Sequence, residues 1–152
     1  MSIATRLKEL GIELPAVASP VAAYVPAVVH DGLVYTSGQL PFVGGALPET
    51  GKVGAEVDAD AAKGYARTCA LNALAAAAEA AGGVDRIAGV LRVGGFVASA
   101  PAFTGQPGVV NGASEVLGEI FGDAGKHARA AVGVAVLPLD TPVEVEVTFI
   151  LA

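Results

Sequence analysis

The sequence predicts a single α+β domain in which one sheet carries its helices on one face. Two observations lead to this fold class. The strand-like and helical segments follow one another in the order strand, strand, helix, strand, helix, strand, strand. The chain has 152 residues, which is close to the usual size of one domain, so we expect a single core within residues 1–152.

Apolar periodicity and turn-forming residues justify each element in order. The predicted elements are a short amphipathic helix over residues 2–10, strands over 25–29 and 33–37, a helix over 60–81, a strand over 87–98, a helix over 109–121, and strands over 129–137 and 143–151. Gly11, Gly82 and Gly122 follow the helices as stop signals. Asp31-Gly32 predicts a hairpin between the first two strands, and the turn formers of 138–142 predict a second hairpin between the last two.

Two kinds of irregular segment separate these elements. Pro15 and Pro20 enclose an extended connector that cannot be regular helix. Residues 1–20 are therefore predicted to form an N-terminal helical extension, which we expect to dock as a flap. Turn formers from 38 to about 57 and from 101 to 107 predict loops.

The composition indicates a folded, self-associating protein. Apolar residues make up 53% of the chain and charged residues 16%, which excludes intrinsic disorder. No apolar run approaches the roughly 20 residues that cross a bilayer, so no membrane partner is expected. The mean hydropathy of +0.61 is high for so small a domain, and it predicts an oligomer whose subunits cover the second face of the sheet.

Charge and cysteine content exclude further classes. The chain has 15 Asp and Glu residues against 9 Lys and Arg residues, which argues against a nucleic-acid partner because such affinity comes from neutralised phosphates. The first residues lack the apolar region of a secretory signal, so a cytoplasmic location is expected. Cys69 cannot form an internal disulfide, and His30 and His127 do not join it at a zinc spacing, so no metal site is predicted.

Common nucleotide-binding and hydrolase motifs do not occur. Gly44-Gly45 and Gly94-Gly95 lack the Lys-Ser/Thr of a P-loop and the spaced glycines of a dinucleotide turn. Ser37-Gly38 follows a strand without the Gly-x-Ser-x-Gly elbow of an α/β hydrolase. Both classes are therefore set aside.

Arg129 is the last cation of the chain, and the eight residues after it are apolar or glycine. One interpretation is a strand-edge residue that faces water or pairs with Glu144 or Glu146. The other is a receptor for a substrate carboxylate, since the planar guanidinium binds a carboxylate through two parallel hydrogen bonds. The sequence leaves both interpretations open.

Glu144 and Glu146 alternate with valines, so both acids lie on one face of their strand. That face is either exposed to solvent or places one carboxylate beside a bound electrophile, where it would act on water as a general base. The register relative to Arg129 is not fixed, because a slip of one residue moves the acids across the sheet.

Three further side chains have two interpretations each. Tyr24 lines a cleft or packs in the core. Asn111 serves a site or is a turn or cap residue. Cys69 is interpreted as a small buried apolar residue rather than a nucleophile.

A set of these residues resembles a known family. The set is Tyr24, Tyr35-Thr36-Ser37-Gly38-Gln39-Leu40-Pro41, Asn72, Asn111, Ala128-Arg129 and Val143-Glu144-Val145-Glu146. In this order they resemble the reactive intermediate deaminase family, RidA/YjgF, over nearly the whole chain from about Tyr24 onward. The resemblance implies a chorismate-mutase-like fold that forms a homotrimer with clefts between subunits.

The resemblance also implies a reaction, the hydrolysis of small 2-imino acids, formed from enamines such as 2-aminoacrylate, to 2-keto acids and ammonia. It implies that Arg129 binds the substrate carboxylate, that the Gly38 N–H assists, and that Glu144 orients the attacking water. Tyr24, Ser37 and Asn111 are expected to complete the substrate-binding site. No metal or organic cofactor is expected, because an imine carbon is already electrophilic.

Three departures from the family pattern indicate a divergent branch. Ala131 stands where the family often has cysteine, the loop of 98–110 looks longer, and the N-terminal extension lies outside the family core. Two alternatives to a deaminase therefore remain open. One is a non-catalytic trimeric protein that binds small carboxylate metabolites, and the other is an interaction scaffold.

Overall fold

The computed structural model describes residues 1–17 and 23–152. Residues 18–20 of the predicted connector lie outside these ranges. The helices of the described ranges are α1 (Ile3–Glu9), α2 (Ala59–Ala81) and α3 (Gln106–Phe121), and short 3-10 turns span Val84–Arg86, Gly122–Gly125 and Pro138–Asp140. The strands are β1 (Ala27–His30), β2 (Leu33–Thr36), β3 (Ile87–Ala98), β4 (Ala128–Val134) and β5 (Val143–Leu151).

The strands form one mixed sheet in the order β1-β2-β5-β3-β4. β1, β2, β5 and β3 pair antiparallel in succession, and β4 pairs parallel to β3 at the edge. The predicted α+β class with a single sheet is therefore confirmed. The first predicted hairpin is also confirmed, because His30 pairs with Leu33 and the turn residues Asp31 and Gly32 have φ of 47° and 77°.

The second predicted hairpin is wrong. β4 and β5 do not pair, because β3 lies between them. β3 and β4 are parallel, and a parallel pair requires a crossover, which α3 provides. After β4 the chain turns through Pro138–Asp140 and returns as β5 in the centre of the sheet, between β2 and β3.

The two faces of β5 differ in burial, as its alternating sequence predicts. Its helix-facing residues Val143, Val145, Val147 and Phe149 are buried in the core. The residues between them face the other side of the sheet and are half-buried: Glu144, Glu146, Thr148 and Ile150. Within residues 1–17 and 23–152 no helix packs on that second face, which we call the open face.

α2 and α3 cover the opposite face, the helix face. Asp58 is the N-cap of α2, and its side chain accepts the Ala61 N–H at 2.8 Å; Gly82, with φ of 86°, is the C-cap. Gly112 lets α3 approach α2 closely, because a Cβ at this position would collide with the Lys63 carbonyl oxygen.

α3 begins earlier than predicted, at Gln106 rather than at residue 109. Pro107 lies in its first turn, where the missing N–H costs no hydrogen bond. The proline therefore belongs to the helix and not to the preceding loop.

The N-terminal helix docks near the C-terminal end of α3. The Arg6 Nε donates to the Glu119 carbonyl oxygen at 2.9 Å, the Ala4 N–H donates to Asp85 Oδ1 at 2.8 Å, and Leu7 is buried. None of the helices in the described ranges combines the length and apolar character needed to span a membrane.

Candidate functional site

Arg129 lies near the start of β4, on the helix face of the sheet. It is in register with Val93 of β3, which is buried beneath the helices. Directly opposed residues of neighbouring strands share a face, so the guanidinium extends toward α3. Its Nη1 donates to Asn111 Oδ1 at 2.8 Å and to Ser114 Oγ at 3.2 Å, and its Nη2 donates to the Pro107 carbonyl oxygen at 3.4 Å.

The three acceptors of Arg129 are uncharged. No carboxylate of the described residues forms an ion pair with this guanidinium, which is exposed. Its position is therefore fixed while its positive charge is not neutralised. Such a group is suited to bind an anion, because a carboxylate would meet a pre-oriented donor and an unbalanced charge.

Glu144 and Glu146 are not partners of Arg129. Glu146 lies 3.6 Å from Arg92 Nη1 on the open face. Glu144 projects from the same open face and is opposite Phe96 of β3. Pairing of Arg129 with either acid is therefore wrong, and the register shows why. The other part of that interpretation, a strand-edge residue that faces water, agrees with the exposure of Arg129 on the edge strand β4.

Asn111 is neither a cap nor a turn residue. The N-cap position of α3 is Gly105, and Asn111 lies more than one turn inside the helix. Its side-chain oxygen holds Arg129, so its role in this structure is to position the guanidinium.

Sequence reasoning missed Ser114 and His127. Ser114 Oγ lies 2.9 Å from His127 Nε2, and His127 Nδ1 lies 2.6 Å from the Gly125 carbonyl oxygen. Both ring nitrogens of His127, a residue considered from the sequence only as a metal ligand, are therefore hydrogen-bonded. One signal was available, since Ser114 follows Asn111 by one helical turn and so shares its face of α3.

A second group of the predicted residues gathers on the open face, around Gly38. Glu144 lies against Gly38, at a position where a Cβ on that glycine would collide with Glu144 Oε2. The Ser37 N–H donates to the Pro26 carbonyl oxygen at 2.8 Å, and the Gln39 N–H donates to the Val145 carbonyl oxygen at 2.8 Å. Glycine at position 38 thus allows the half-buried carboxylate to approach the main chain.

The pKa of Glu144 is raised above the ordinary value. Burial disfavours its charged form, and the neighbouring Glu146 carboxylate adds repulsion. A raised pKa makes the ionised carboxylate a stronger base, as a group that activates water requires.

Ser37 precedes Gly38 and links this group to the segment before β1. The Ser37 hydroxyl donates to the Val25 carbonyl oxygen at 2.6 Å and so holds the segment that carries Tyr24. Tyr24 is 56% exposed, so the interpretation as a core tyrosine is wrong. Its side chain is therefore at the surface of the single chain.

The predicted site residues therefore form two separate half-sites. Arg129, Asn111 and Ser114 form the guanidinium half-site on the helix face, beside α3. The carboxylate half-site lies on the open face and comprises Glu144, Gly38 and Ser37, and Ser37 holds the backbone of Val25, the residue after Tyr24. One chain does not bring the two halves together.

Cys69 and Ala131 contribute no reactive group to either half-site. Cys69 is fully buried in α2, and its burial raises the pKa of the thiol well above the ordinary value. It is a buried apolar residue, as predicted. Ala131 packs against the core on the same face as Arg129 and carries no thiol.

Comparison with known proteins places the chain in a family. A family model described as "YjgF/chorismate_mutase-like, putative endoribonuclease" matches residues 4–150. The chain is 43% identical to Protein TCP17 of Trypanosoma cruzi over 147 residues, covering 95% of this chain and 91% of TCP17.

Two solved structures extend the comparison. The crystal structure of Atu1372 from Agrobacterium tumefaciens matches with a TM-score of 0.90 and 43% identity, covering 99% of this chain and 92% of that chain. The YjgF gene product of E. coli matches with a TM-score of 0.64 and 26% identity, covering 88% of this chain and 92% of that chain.

These similarities confirm the predicted chorismate-mutase-like fold. The chain is more similar to TCP17 and Atu1372 than to the E. coli protein, in agreement with the predicted divergent branch. On the family match to residues 4–150, the chain belongs to the YjgF/chorismate-mutase-like family.

Proposed function

We propose that the protein hydrolyses small 2-imino acids to 2-keto acids and ammonia. The observation that carries this proposal is the exposed guanidinium of Arg129, which uncharged acceptors hold without neutralising its charge. A 2-imino acid presents a carboxylate next to its electrophilic carbon, so a fixed cation both binds the substrate and orients the reacting atom.

We propose that the site forms between two subunits of a homotrimer. The open face carries exposed apolar side chains, among them Val28, Tyr35 and Val132, at 51%, 47% and 42% exposure. A sheet face of this kind is covered by another copy of the chain in stable oligomers. Subunit contact would bring the guanidinium half-site of one copy to the carboxylate half-site of its neighbour.

In the proposed reaction Arg129 binds the carboxylate, with the Gly38 N–H as an additional donor. Glu144 of the other subunit accepts a proton from water as the water oxygen attacks the imine carbon, and the nitrogen takes that proton to give a carbinolamine. The carbinolamine hydroxyl then loses its proton and forms the C=O bond while the C–N bond breaks and the nitrogen takes a second proton, which yields the 2-keto acid and ammonia. The raised pKa of Glu144 supports this role, because it strengthens the base.

An assay with imino acids generated in the reaction mixture tests the proposal. Purified protein is incubated with 2-iminobutyrate or 2-iminopropionate, and release of the keto acid is followed. We expect acceleration over buffer, and a loss of about 100-fold in kcat/KM for Arg129→Ala, because a charge-assisted contact is removed. Arg86→Ala, at another exposed arginine, is the matched control. Keto acid release at the buffer rate contradicts the proposal.

A second candidate function is a trimeric protein that binds small carboxylates without turnover. Ala131 favours it, because no thiol stands beside Arg129 where the resemblance implies a cysteine. A thermal-shift screen with 2-keto acids and benzoate separates the candidates: stabilisation without imine turnover supports the binding protein. The net charge of −6 disfavours the endoribonuclease activity that the family description names, since RNA binding needs cationic surface.

A further inference from the structure

A series of hydrogen bonds links Arg129 through Ser114 and His127 to a backbone carbonyl. Arg129 Nη1 donates to Ser114 Oγ at 3.2 Å. Ser114 Oγ and His127 Nε2 are 2.9 Å apart, and His127 Nδ1 is 2.6 Å from the Gly125 carbonyl oxygen. The proposed reaction assigns no role to Ser114 or His127.

The direction of each bond follows from the chemistry of its two ends. A carbonyl oxygen only accepts, so the proton of the neutral His127 ring is on Nδ1. The Nε2 atom is then an acceptor, and the Ser114 hydroxyl must donate to it. The guanidinium only donates, so the remaining lone pairs of Ser114 Oγ face Arg129. Each group is thereby fixed in one orientation.

The far end of this chain is rigid. The Gly125 carbonyl belongs to the turn of Gly122–Gly125, and Gly125 is buried against α3. A Cβ on Gly125 would lie 2.7 Å from the Leu117 carbonyl oxygen. The turn is therefore packed directly on the helix that also carries Asn111 and Ser114.

The bonds leave a defined pair of donors on Arg129. Asn111 and Ser114 use both hydrogens of Nη1, and the Pro107 carbonyl uses one hydrogen of Nη2. Nε–H and the second Nη2–H have no acceptor among the described residues, and two such donors match the two oxygens of a carboxylate.

From this arrangement we infer that Ser114 and His127 are positioning residues that set the orientation of Arg129 and with it the affinity for carboxylates. The inference rests on the proposed function, because it assumes that Arg129 binds the substrate carboxylate. Its first part, the direction of the hydrogen bonds, does not depend on any ligand.

Nitrogen NMR of the histidine side chains tests the direction of the bonds. The chain contains two histidines, and His30 is an exposed internal control, with its side chain 72% accessible. At about pH 8 we expect the Nδ1-protonated tautomer at His127 and the Nε2-protonated tautomer at His30, whose Nε2 lies 3.1 Å from Asp31 Oδ2. In Ser114→Ala the preference at His127 is expected to weaken. The Nε2-protonated tautomer at His127 of the wild-type protein overturns the inference.

Calorimetric titration with 2-oxobutyrate and imine kinetics test the positioning role. Ser114→Ala and His127→Leu should each weaken carboxylate binding about 3- to 10-fold, which corresponds to one lost hydrogen bond. KM should rise by a similar factor with kcat nearly unchanged, because the lost contact supports substrate binding. Ser114→Thr and His127→Gln keep the required donor or acceptor and should restore most of the affinity, and His30→Gln is the control.

The outcomes separate this inference from the proposed function. If Ser114→Ala and His127→Leu bind 2-oxobutyrate as tightly as the wild type while Arg129→Ala does not, the positioning role is overturned and the proposed site stands. If Arg129→Ala itself binds normally, the carboxylate site and the positioning role both fail. The tautomer of His127 then reports only whether the hydrogen bonds run as described.

Discussion

Arg129 of β4 and Glu144 of β5 project from opposite faces of the same sheet. Arg129 is in register with Val93, whereas Glu144 is opposite Phe96, and these two β3 residues point to opposite sides. No rotation of either side chain brings the two groups together through the sheet. A site that uses both must take them from different subunits.

Gly38→Ala tests whether the close approach of Glu144 to the main chain matters. The added Cβ would collide with Glu144 Oε2 and displace the carboxylate. We expect a loss of about 10- to 100-fold in kcat/KM in the imine assay, because a small displacement of a reacting group has effects of this size. Circular dichroism should show a folded protein. Unchanged kinetics would mean that Glu144 needs no fixed position at Gly38.

Asn111→Asp tests whether the uncompensated charge of Arg129 carries the anion affinity. The substitution is nearly isosteric, and it replaces the neutral acceptor 2.8 Å from Nη1 by a carboxylate. The new ion pair should neutralise the charge of Arg129 within the chain. It should therefore weaken 2-oxobutyrate binding about 10-fold more than Asn111→Ala does. Isothermal titration calorimetry measures both variants. Equal affinities for the aspartate variant and the wild type would contradict the account.

The raised pKa of Glu144 predicts a pH dependence of stability. A group whose pKa is higher in the folded state binds more protons when folded, so the stability it contributes is present below the ordinary value of 4.5. That contribution is lost as the pH rises through the raised pKa. The Tm of Glu144→Gln relative to the wild type should therefore increase from about pH 4 to about pH 7.

Glu56 provides a control of opposite sign for this experiment. Hydrogen bonds from the backbone N–H groups of Glu56 and Lys52 lower the pKa of its carboxyl. Its contribution is present above the ordinary pKa and is lost as the pH falls, so the Tm of Glu56→Gln relative to the wild type should decrease as the pH rises. Thermal scans at matched protein concentration measure both variants. Tm differences from the wild type that change in the same direction with pH for both variants would contradict the opposite pKa shifts of Glu144 and Glu56.

Alanine substitution at two helical glycines should change the free energy of unfolding in opposite directions. A Cβ on Gly64 of α2 would meet no atom within 4 Å, whereas a Cβ on Gly112 of α3 would collide with the Lys63 carbonyl oxygen. Gly64→Ala should raise the free energy of unfolding by about 0.5–1 kcal/mol through helix propensity. Gly112→Ala should lower it by about 1–3 kcal/mol, because α2 and α3 must separate. Urea unfolding at fixed protein concentration measures both changes, and a stabilising Gly112→Ala would refute the close helix packing.

The parts of the fold that depend on residues close together in the sequence could be predicted. The bounds of β3 and β5 match the predicted ranges of 87–98 and 143–151. The hairpin at Asp31-Gly32 and the helix between Asp58 and Gly82 follow from local turn and cap chemistry. Each of these signals lies within a few residues of the structure that it determines.

The pairing of distant strands could not be predicted in the same way. β4 pairs with β3 across the whole of α3, and β5 enters between β2 and β3, so no turn residue specifies the register of Arg129. The bond from Ser114 to His127 depends on that same packing. Residue types thus identified Arg129 and Glu144 as candidates, but their separation on two faces is a property of the assembled sheet.

The most direct test of the two-subunit site is complementation between two inactive variants. Arg129→Ala supplies an intact carboxylate half-site and Glu144→Gln an intact guanidinium half-site, and the two are coexpressed with different tags so that mixed oligomers can be isolated. In a trimer that contains both variants, one of the three interfaces combines two intact halves, so isolated mixed trimers are predicted to have about a third of the wild-type deaminase activity. Mixed oligomers as inactive as either parent variant, beside an active wild type, would contradict a site shared between subunits.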